Sequence, residues 1–205
     1  MKGRVLPVAL LTADLLVGVG GAYGSAASAE TFPVPGTPAT TAPATPTTPA
    51  PAADHNDQDV MFAQMMIPHH RQALEMSKLA ESRASDPRVL RLARRIAAAQ
   101  APEIQTMSGW LTAWGKPVPG GSSAPAGHHD MPGMMSPEEM NRLEGLSGRA
   151  FDRAFLSMMI RHHEGAVTMA RDELRGGVYE PARRLAASIV SSQSAEIAEM
   201  KRLLE

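Results

Sequence analysis

Side chains that can bind transition metals occur in two matching sets along the chain. The sequence Met-Met-Ile-Pro-His-His at 65–70 returns 93 residues later as Met-Met-Ile-Arg-His-His at 158–163. The candidate ligands that repeat at this spacing are His69, His70, His162, His163, Met65, Met66, Met76, Met158, Met159 and Met169. Imidazole binds several transition metals, and the soft thioether sulfur suits Cu(I). Because filling a core does not require histidine in register, the duplication predicts a paired metal site.

A carboxylate repeats at the same spacing. Glu103 and Glu196 each lie on an otherwise apolar helical seam, three residues after Gln100 and Gln193. An unpaired carboxylate is costly to bury, so we expect each glutamate to meet a histidine across the bundle or a metal ion. The alternative is a position at the bundle end, where both side chains reach solvent. The two glutamines are expected to orient ligands from outside the first coordination shell.

Histidine and methionine on an apolar face also have a purely structural interpretation. Methionine at helical spacing is often flexible core filling, and we expect this role for Met107 and Met200. A single histidine on such a face is more often a hydrogen-bonded core residue than a ligand. Two adjacent histidine pairs at matching positions favour the ligand interpretation.

A further cluster of possible ligands lies between the two copies, in a segment rich in glycine and proline. Its histidines and methionines are His128, His129, Met131, Met134 and Met135. We expect these methionines to be exposed on a loop, with no core to fill, and therefore to serve as soft Cu(I) ligands. The alternative is a solvated linker in which histidine and methionine are incidental.

Four segments show apolar residues at steps of three and four, the spacing of an amphipathic helix. Asp86-Pro87 predicts the start of the second helix, and Gly176-Gly177 predicts the end of the long helix that carries the second histidine pair. Ser136 and Glu139 have capping-box spacing. These signals are local, so they place helix ends but say little about packing.

Two duplicated helical hairpins, 56–114 and 137–205, are predicted on either side of the connector 115–136. Each has one apolar face and cannot bury it alone, so the predicted fold is all-α, a four-helix bundle. Asp59 and Asp152 are expected to cap helices. Pro102 predicts a kink or break in the second helix only, because proline removes a helical hydrogen bond.

The first 55 residues contain two segments that are not expected to join the bundle. Residues 1–29 have a basic start, an apolar stretch and Ala27-Ser28-Ala29 before Glu30, the pattern of a secretory signal peptide. The stretch at 30–55 is mostly Pro, Thr and Ala and predicts a disordered spacer. We therefore expect a secreted or extracytoplasmic protein with no stable membrane anchor after cleavage.

Composition excludes several classes of function. The chain of 205 residues has no cysteine, which removes disulfides and thiolate chemistry. Loss of Lys2, Arg4 and Asp14 with the leader changes the formal charge from −1 to −2. This balance gives no electrostatic footprint for nucleic acid.

The doubled His-His motif is specific enough to compare with a known family. The segments at 65–70 and 158–163, with Ala73 and Ala166, resemble the exported domain-of-unknown-function family 305, the CopM-like proteins. The resemblance covers about 57–205. It implies a ferritin-like four-helix bundle and extracytoplasmic copper binding linked to copper tolerance. It also implies that the motif histidines and methionines given above are the ligands, and that the connector residues carry less weight.

The sequence departs from the ferritin-like di-iron pattern, which requires Glu-x-x-His on two helices. Neither histidine pair has a glutamate three residues before it, which disfavours iron oxidation. We therefore expect a copper-binding protein, with Cu(I) favoured over Cu(II), that sequesters the ion or passes it to a copper-handling partner. No catalytic residue is assigned. The alternatives are a ferritin-like metallo-oxidase that uses both glutamates and a metal-free module for envelope-stress interactions.

Overall fold

The computed structural model describes residues 54–121 and 131–205. Within these ranges the chain is helical and contains no strand. The helices are α1 (Asp57–Arg83), α2 (Pro87–Ala113), α3 (Pro137–Glu144), α4 (Gly148–Gly176) and α5 (Glu180–Leu204). The all-α prediction is confirmed. The signal peptide at 1–29, and all of the spacer except residues 54 and 55, lie outside the described residues.

The ends of the helices follow from local sequence signals. Asp86 caps α2 and is followed by Pro87, as predicted. Ser136 and Glu139 form the predicted capping box of α3, each side chain bonding to the other's backbone N–H. Gly176 is the last residue of α4. These three helix ends therefore agree with the predictions from the sequence.

Two prolines, Pro68 and Pro102, lie inside helices. Helix α2 is continuous from Pro87 to Ala113, so the expectation that Pro102 breaks it is wrong. Pro102 and Ala98, whose carbonyl loses its helical donor, are both exposed, so water can hydrate that carbonyl. Pro68 also lies inside a continuous helix, α1, directly before the first histidine pair.

The packing of the helices follows the repeat. Helix α1 packs against α2, α4 packs against α5, and α1 and α4 form the central contact between the hairpins. The start of α1 shares a core with the end of α4, and the end of α1 shares a core with the start of α4. The two central helices are therefore antiparallel and cross near their middle, where both histidine pairs lie.

Two apolar clusters fill the bundle, one on each side of this crossing. The Phe62 cluster includes Phe62, Met66, Met107, Ala166, Met169 and Ile189. The Phe155 cluster includes Phe155, Met159, Met200, Ala73, Met76 and Ile96. Each cluster takes residues from both copies, and the two sets correspond at the 93-residue shift. The bundle thus has an approximate two-fold relationship between its halves.

Asp59 and Asp152 connect opposite hairpins. The carboxylate of Asp152, near the start of α4, accepts hydrogen bonds from the backbone N–H groups of Ser85 and Asp86 in the turn between α1 and α2. Asp59, near the start of α1, accepts bonds from Val178 and Tyr179 in the turn between α4 and α5. Each aspartate therefore caps the outer helix of the other hairpin, a more specific role than the local capping predicted.

A membrane-spanning helix would need a long apolar stretch. Across residues 54–121 and 131–205, no helix is both long enough and apolar enough to cross a bilayer.

Candidate metal centre

The four motif histidines meet where α1 and α4 cross. Each is completely buried. The ring centroids of His69 and His162 are 3.7 Å apart with an interplanar angle of 37°, and those of His162 and His163 are 6.2 Å apart. The structure therefore brings together both histidine pairs that the sequence analysis singled out. We call these four residues the histidine quartet.

The outer members of the quartet each bond to a glutamate. The Nε2 atom of His70 lies 2.6 Å from Oε2 of Glu103 on α2, and Nε2 of His163 lies 2.8 Å from Oε2 of Glu196 on α5. The glutamate side chains are 20% and 18% exposed, so each carboxylate lies between the buried ring and solvent. Each glutamate therefore meets a histidine, but the partner belongs to the same hairpin, so the expectation of a histidine across the bundle is wrong. A carboxylate only accepts, so each ring donates from Nε2.

Because Nε2 of His70 and of His163 donates to a glutamate, the lone pair of each of these neutral rings lies on Nδ1. Among the described residues, Nδ1 of His69, His70 and His163 has no hydrogen-bond partner. Neither ring nitrogen of His162 has one. Buried polar atoms are nearly always paired, so five unpartnered imidazole nitrogens in one region are unusual for a core. They are the atoms that could bind a metal ion.

The electrostatic environment keeps three of these imidazoles neutral. Burial, with a smaller contribution from the neighbouring His70, lowers the pKa of His69 to about 3. Burial and the other three histidines lower the pKa of His162 well below its ordinary value. Burial also lowers the pKa of His70, against the opposing effect of Glu103. Metal binding requires neutral imidazole, and burial provides it here without competition from protons at neutral pH.

Two glutamines add further unpartnered polar atoms beside the glutamates. Gln100 and Gln193 are 2% and 3% exposed, and Oε1 of each has no partner in the described part of the chain. Each lies three residues before the glutamate of its own helix and so on the same helical face. Their proposed role as outer partners of a metal ligand therefore remains a prediction.

The motif methionines lie on either side of the quartet. Met66 and Met169 are in the Phe62 cluster, with Met65 packed against it. Met76 and Met159 are in the Phe155 cluster, with Met158 packed against it. Such positions are typical of core filling. The antiparallel crossing divides the six methionines between two clusters rather than collecting them around the histidines.

The connector differs from the prediction of an exposed loop. Met131 and Met135 are only 7% and 4% exposed, and Met134 is intermediate. Their burial has a clear cause, because the segment packs across α1 and α4 and Met135 joins the Phe155 cluster. The expectation that these thioethers face solvent is therefore wrong for Met131 and Met135. His128 and His129 lie outside the described residues.

The comparison with protein-family models finds a match over most of the folded region. Residues 59–204 match the model of a domain of unknown function, DUF305. The chain belongs to the DUF305 family. The comparison with curated proteins finds no match.

Solved structures of similar proteins agree with this fold. A DUF305 protein from Streptomyces coelicolor is 39% identical, with a TM-score of 0.67 over 75% of this chain and 94% of that chain. CopM in its Cu(I)-bound form is 35% identical, with a TM-score of 0.60 over 71% of this chain and 94% of that chain. CopM in its Cu(II)-bound form is also 35% identical, with a TM-score of 0.62 over 71% of this chain and 95% of that chain.

In this conformation the quartet does not form a metal site with three or more converging ligands from the described His, Asp and Glu residues. Within the described ranges, no three side chains from His, Asp and Glu converge closely enough to enclose a metal ion. The glutamates bond to histidine rings, and the donor atoms that remain are imidazole nitrogens. The unpartnered donor atoms at the quartet of this DUF305 chain are therefore imidazole nitrogens rather than carboxylate oxygens.

Sequence reasoning missed three residues that cover the quartet. Pro132 accepts a hydrogen bond from Nε2 of His69 through its carbonyl, at 3.1 Å. Gln72 and Gly165 contact the same stretch of the connector. The available signal was the repeat itself, because Gln72 and Gly165 are 93 residues apart and each lies two residues after the second histidine of its pair.

Proposed function

We propose that this protein is an exported copper-binding protein that holds Cu(I) at the histidine quartet and sequesters it or passes it on. The single observation that carries the proposal is the set of five unpartnered nitrogens on four fully buried histidines. A core built only for stability would gain from apolar side chains here, because each buried unpaired polar atom costs about 1–3 kcal/mol. A bound metal ion would use the lone pairs on these nitrogens, of which each neutral ring has one.

The two glutamates support this assignment by fixing the direction in which the rings face. Since Glu103 and Glu196 hold the proton on Nε2 of His70 and His163, the lone pair of each ring lies on Nδ1. Carboxylates that bond to metal-binding histidines in this way orient the ring and increase its basicity. We therefore assign Glu103 and Glu196 as hydrogen-bond partners of the metal-binding histidines rather than as metal ligands.

The charge of the site favours a monovalent ion. The quartet is buried between two apolar clusters, and the nearest carboxylates are already bonded to histidine. Burying a charge without compensation is costly, and the cost rises with that charge. Cu(I) is therefore a better occupant than Zn(II) or Cu(II). The flanking methionines add a polarizable surround.

The relatives support copper as the metal. CopM, at 35% identity, has been crystallised with Cu(I) and with Cu(II). By this similarity, we propose that this chain also binds copper. The choice between storage and delivery depends on a partner. The N-terminal leader pattern supports export, and the intact mass of the secreted product should correspond to a chain beginning at Glu30.

The proposal is tested with mature protein purified without an affinity tag. Under anaerobic conditions the protein should take Cu(I) from a chromogenic chelator and retain it through gel filtration, whereas Zn(II) should be lost. His55→Ala is the matched control, because His55 stacks on Trp114 and has no place in the quartet. It should leave copper uptake unchanged. Failure of the wild type to compete with the chelator would refute the proposal.

The same preparation discriminates the alternatives. A metallo-oxidase would consume oxygen in a metal-dependent reaction, and a metal-free interaction module would contain no stoichiometric metal after growth with copper. The proposal predicts bound copper without sustained oxygen consumption.

A further inference from the structure

The connector crosses the quartet as a tight turn. In residues 131–134 the N–H of Met134 bonds to the carbonyl of Met131 at 3.3 Å, and Gly133 has φ +79°. Proline followed by glycine at the two central positions is the pattern of a type II turn, in which the second central residue needs positive φ. We call residues 131–135 the connector strap. Its conformation follows directly from Pro132-Gly133.

Two residues at equivalent positions of the repeat hold the strap in place. On α1, the side-chain amide of Gln72 donates to the carbonyl of Met135 at 2.9 Å and accepts from its N–H at 2.7 Å. On α4, Gly165 lets the strap approach the helix backbone, and a Cβ atom there would overlap the carbonyl of Pro132. The first copy of the repeat therefore supplies two hydrogen bonds to the strap through Gln72, and the second copy supplies room for the strap at Gly165.

The result of this docking is one defined contact with the quartet. The Pro132 carbonyl lies 3.1 Å from Nε2 of His69. A carbonyl only accepts a hydrogen bond, so this contact keeps the proton of neutral His69 on Nε2 and leaves the lone pair on Nδ1. His162, the equivalent residue in the other copy, has no such partner among the described residues.

We propose that Gln72 and Gly165 are positioning residues for the metal centre: they place the Pro132 carbonyl so that His69 presents Nδ1 to the metal. The inference rests on the proposed function for its consequence in copper binding, but the tautomer of His69 is a property of the protein without metal. The strap also makes a duplicated site unequal, since it fixes the tautomer of His69 and not that of His162.

The test is nitrogen-15 NMR of the imidazole rings in the metal-free mature protein at neutral pH, where protonated and unprotonated ring nitrogens have separate shifts. Wild-type His69 should show a single tautomer with the proton on Nε2, whereas His162 should populate both tautomers. In Gly165→Ala and Gln72→Leu the strap is displaced, and His69 should become a mixture resembling His162.

Gly109→Ala is the matched control, because Gly109 is a helical glycine around which a Cβ meets no atom within 4 Å. It should leave the His69 tautomer unchanged. Circular dichroism of each variant checks that the bundle still forms, and Gln72→Leu serves if Gly165→Ala does not fold. For Cu(I), both strap variants should bind about 10–100-fold more weakly than the control.

A wild-type His69 protonated on Nδ1, or a His69 that keeps its Nε2 proton in folded strap variants, would overturn the positioning role. Unchanged copper affinity in variants with a mixed His69 tautomer would overturn its consequence for the metal. If the wild type bound no Cu(I), the proposed function would fail, while the NMR comparison would still decide whether the strap sets the tautomer.

Discussion

Glu173 lies against the carboxylate of Asp59, and both side chains are completely buried. Asp59 already accepts backbone hydrogen bonds, whereas neither oxygen of Glu173 has an N–H donor in the described part of the chain. The contact is favourable only if Glu173 carries a proton and donates it to Asp59. The equivalent residue of the first copy is Ala80, so this acid pair occurs at one end of the bundle alone.

The acid pair predicts that stability falls as pH rises. Burial, with a smaller contribution from Asp59, raises the pKa of Glu173 from 4.5 to about 8, and Arg183 partly opposes this. A group whose pKa is higher in the folded state stabilises fully below its unfolded pKa, and that stability is lost as pH rises through the folded value. The loss should therefore extend from about pH 4.5 to about pH 8.

Glu173→Gln keeps a donor toward Asp59 and removes the ionisation. At pH 9 the variant should be more stable than wild type by at least about 1 kcal/mol, a rise of about 2–4 °C in Tm. At pH 5 the two proteins should melt within about 1 °C of each other. Glu164→Gln, on the exposed face of the same helix, is the control and should not change the pH profile. Parallel wild-type and Glu173→Gln profiles would contradict the acid pair.

The reciprocal capping by Asp59 and Asp152 predicts a long-range effect on stability. Asp152→Ala removes the acceptor of two backbone N–H groups in the other hairpin. Urea denaturation should show a loss of about 1–3 kcal/mol in the free energy of unfolding. Hydrogen exchange should increase at Ser85 and Asp86, far from residue 152 in the sequence. Faster exchange confined to α4 would show that the aspartate acts only within its own helix.

The bonds between histidine and glutamate predict a selective loss of copper affinity. The double variant Glu103→Gln/Glu196→Gln can no longer hold the ring protons on Nε2, because an amide offers both donor and acceptor. Competition titration should show Cu(I) binding weakened by about 10–100-fold. Glu75→Gln, an exposed residue of α1, is the control. A complete loss of binding, equal to loss of the histidines, would instead place the glutamates among the direct ligands.

The positions of the motif methionines predict that their sulfur atoms are dispensable. Leucine is similar in volume to methionine, so Met66→Leu and Met159→Leu should each cost less than about 1.5 kcal/mol. Both residues lie fully buried in the apolar clusters. The double variant should still bind Cu(I) with an affinity close to that of wild type. Abolished uptake in a folded double variant would return the thioethers to the ligand set.

Local sequence patterns predicted much of this fold, because helix ends depend on nearby residues. Asp86-Pro87 and the Ser136–Glu139 capping box place helix starts through contacts within a single turn. The histidine quartet was also predictable, since a repeat that folds twice into the same hairpin brings equivalent residues together at its two-fold relationship.

Contacts between hairpins were not predictable in the same way. Asp152 reaches the turn at Ser85, and Gln72 reaches Met135, across more than 60 residues of sequence. No local pattern marks either contact. The connector methionines show the same limitation, because composition suggested a solvated loop while Gly165 made room for that loop to dock. The break expected at Pro102 does not occur, and Ala98, whose carbonyl loses its helical donor, is exposed, so water can hydrate that carbonyl.

The most direct test of the quartet is thermal melting of His69→Leu/His162→Leu with and without Cu(I). Leucine removes three of the unpartnered nitrogens without leaving a large cavity, so the metal-free variant should be at least as stable as wild type. A free Cu(I) concentration one hundred times the dissociation constant should stabilise wild type by about 2.7 kcal/mol, and the variant should lose most of that shift. A metal-free variant that melts much earlier, yet keeps the full copper-induced shift, would show that the histidines serve the core and would contradict the account.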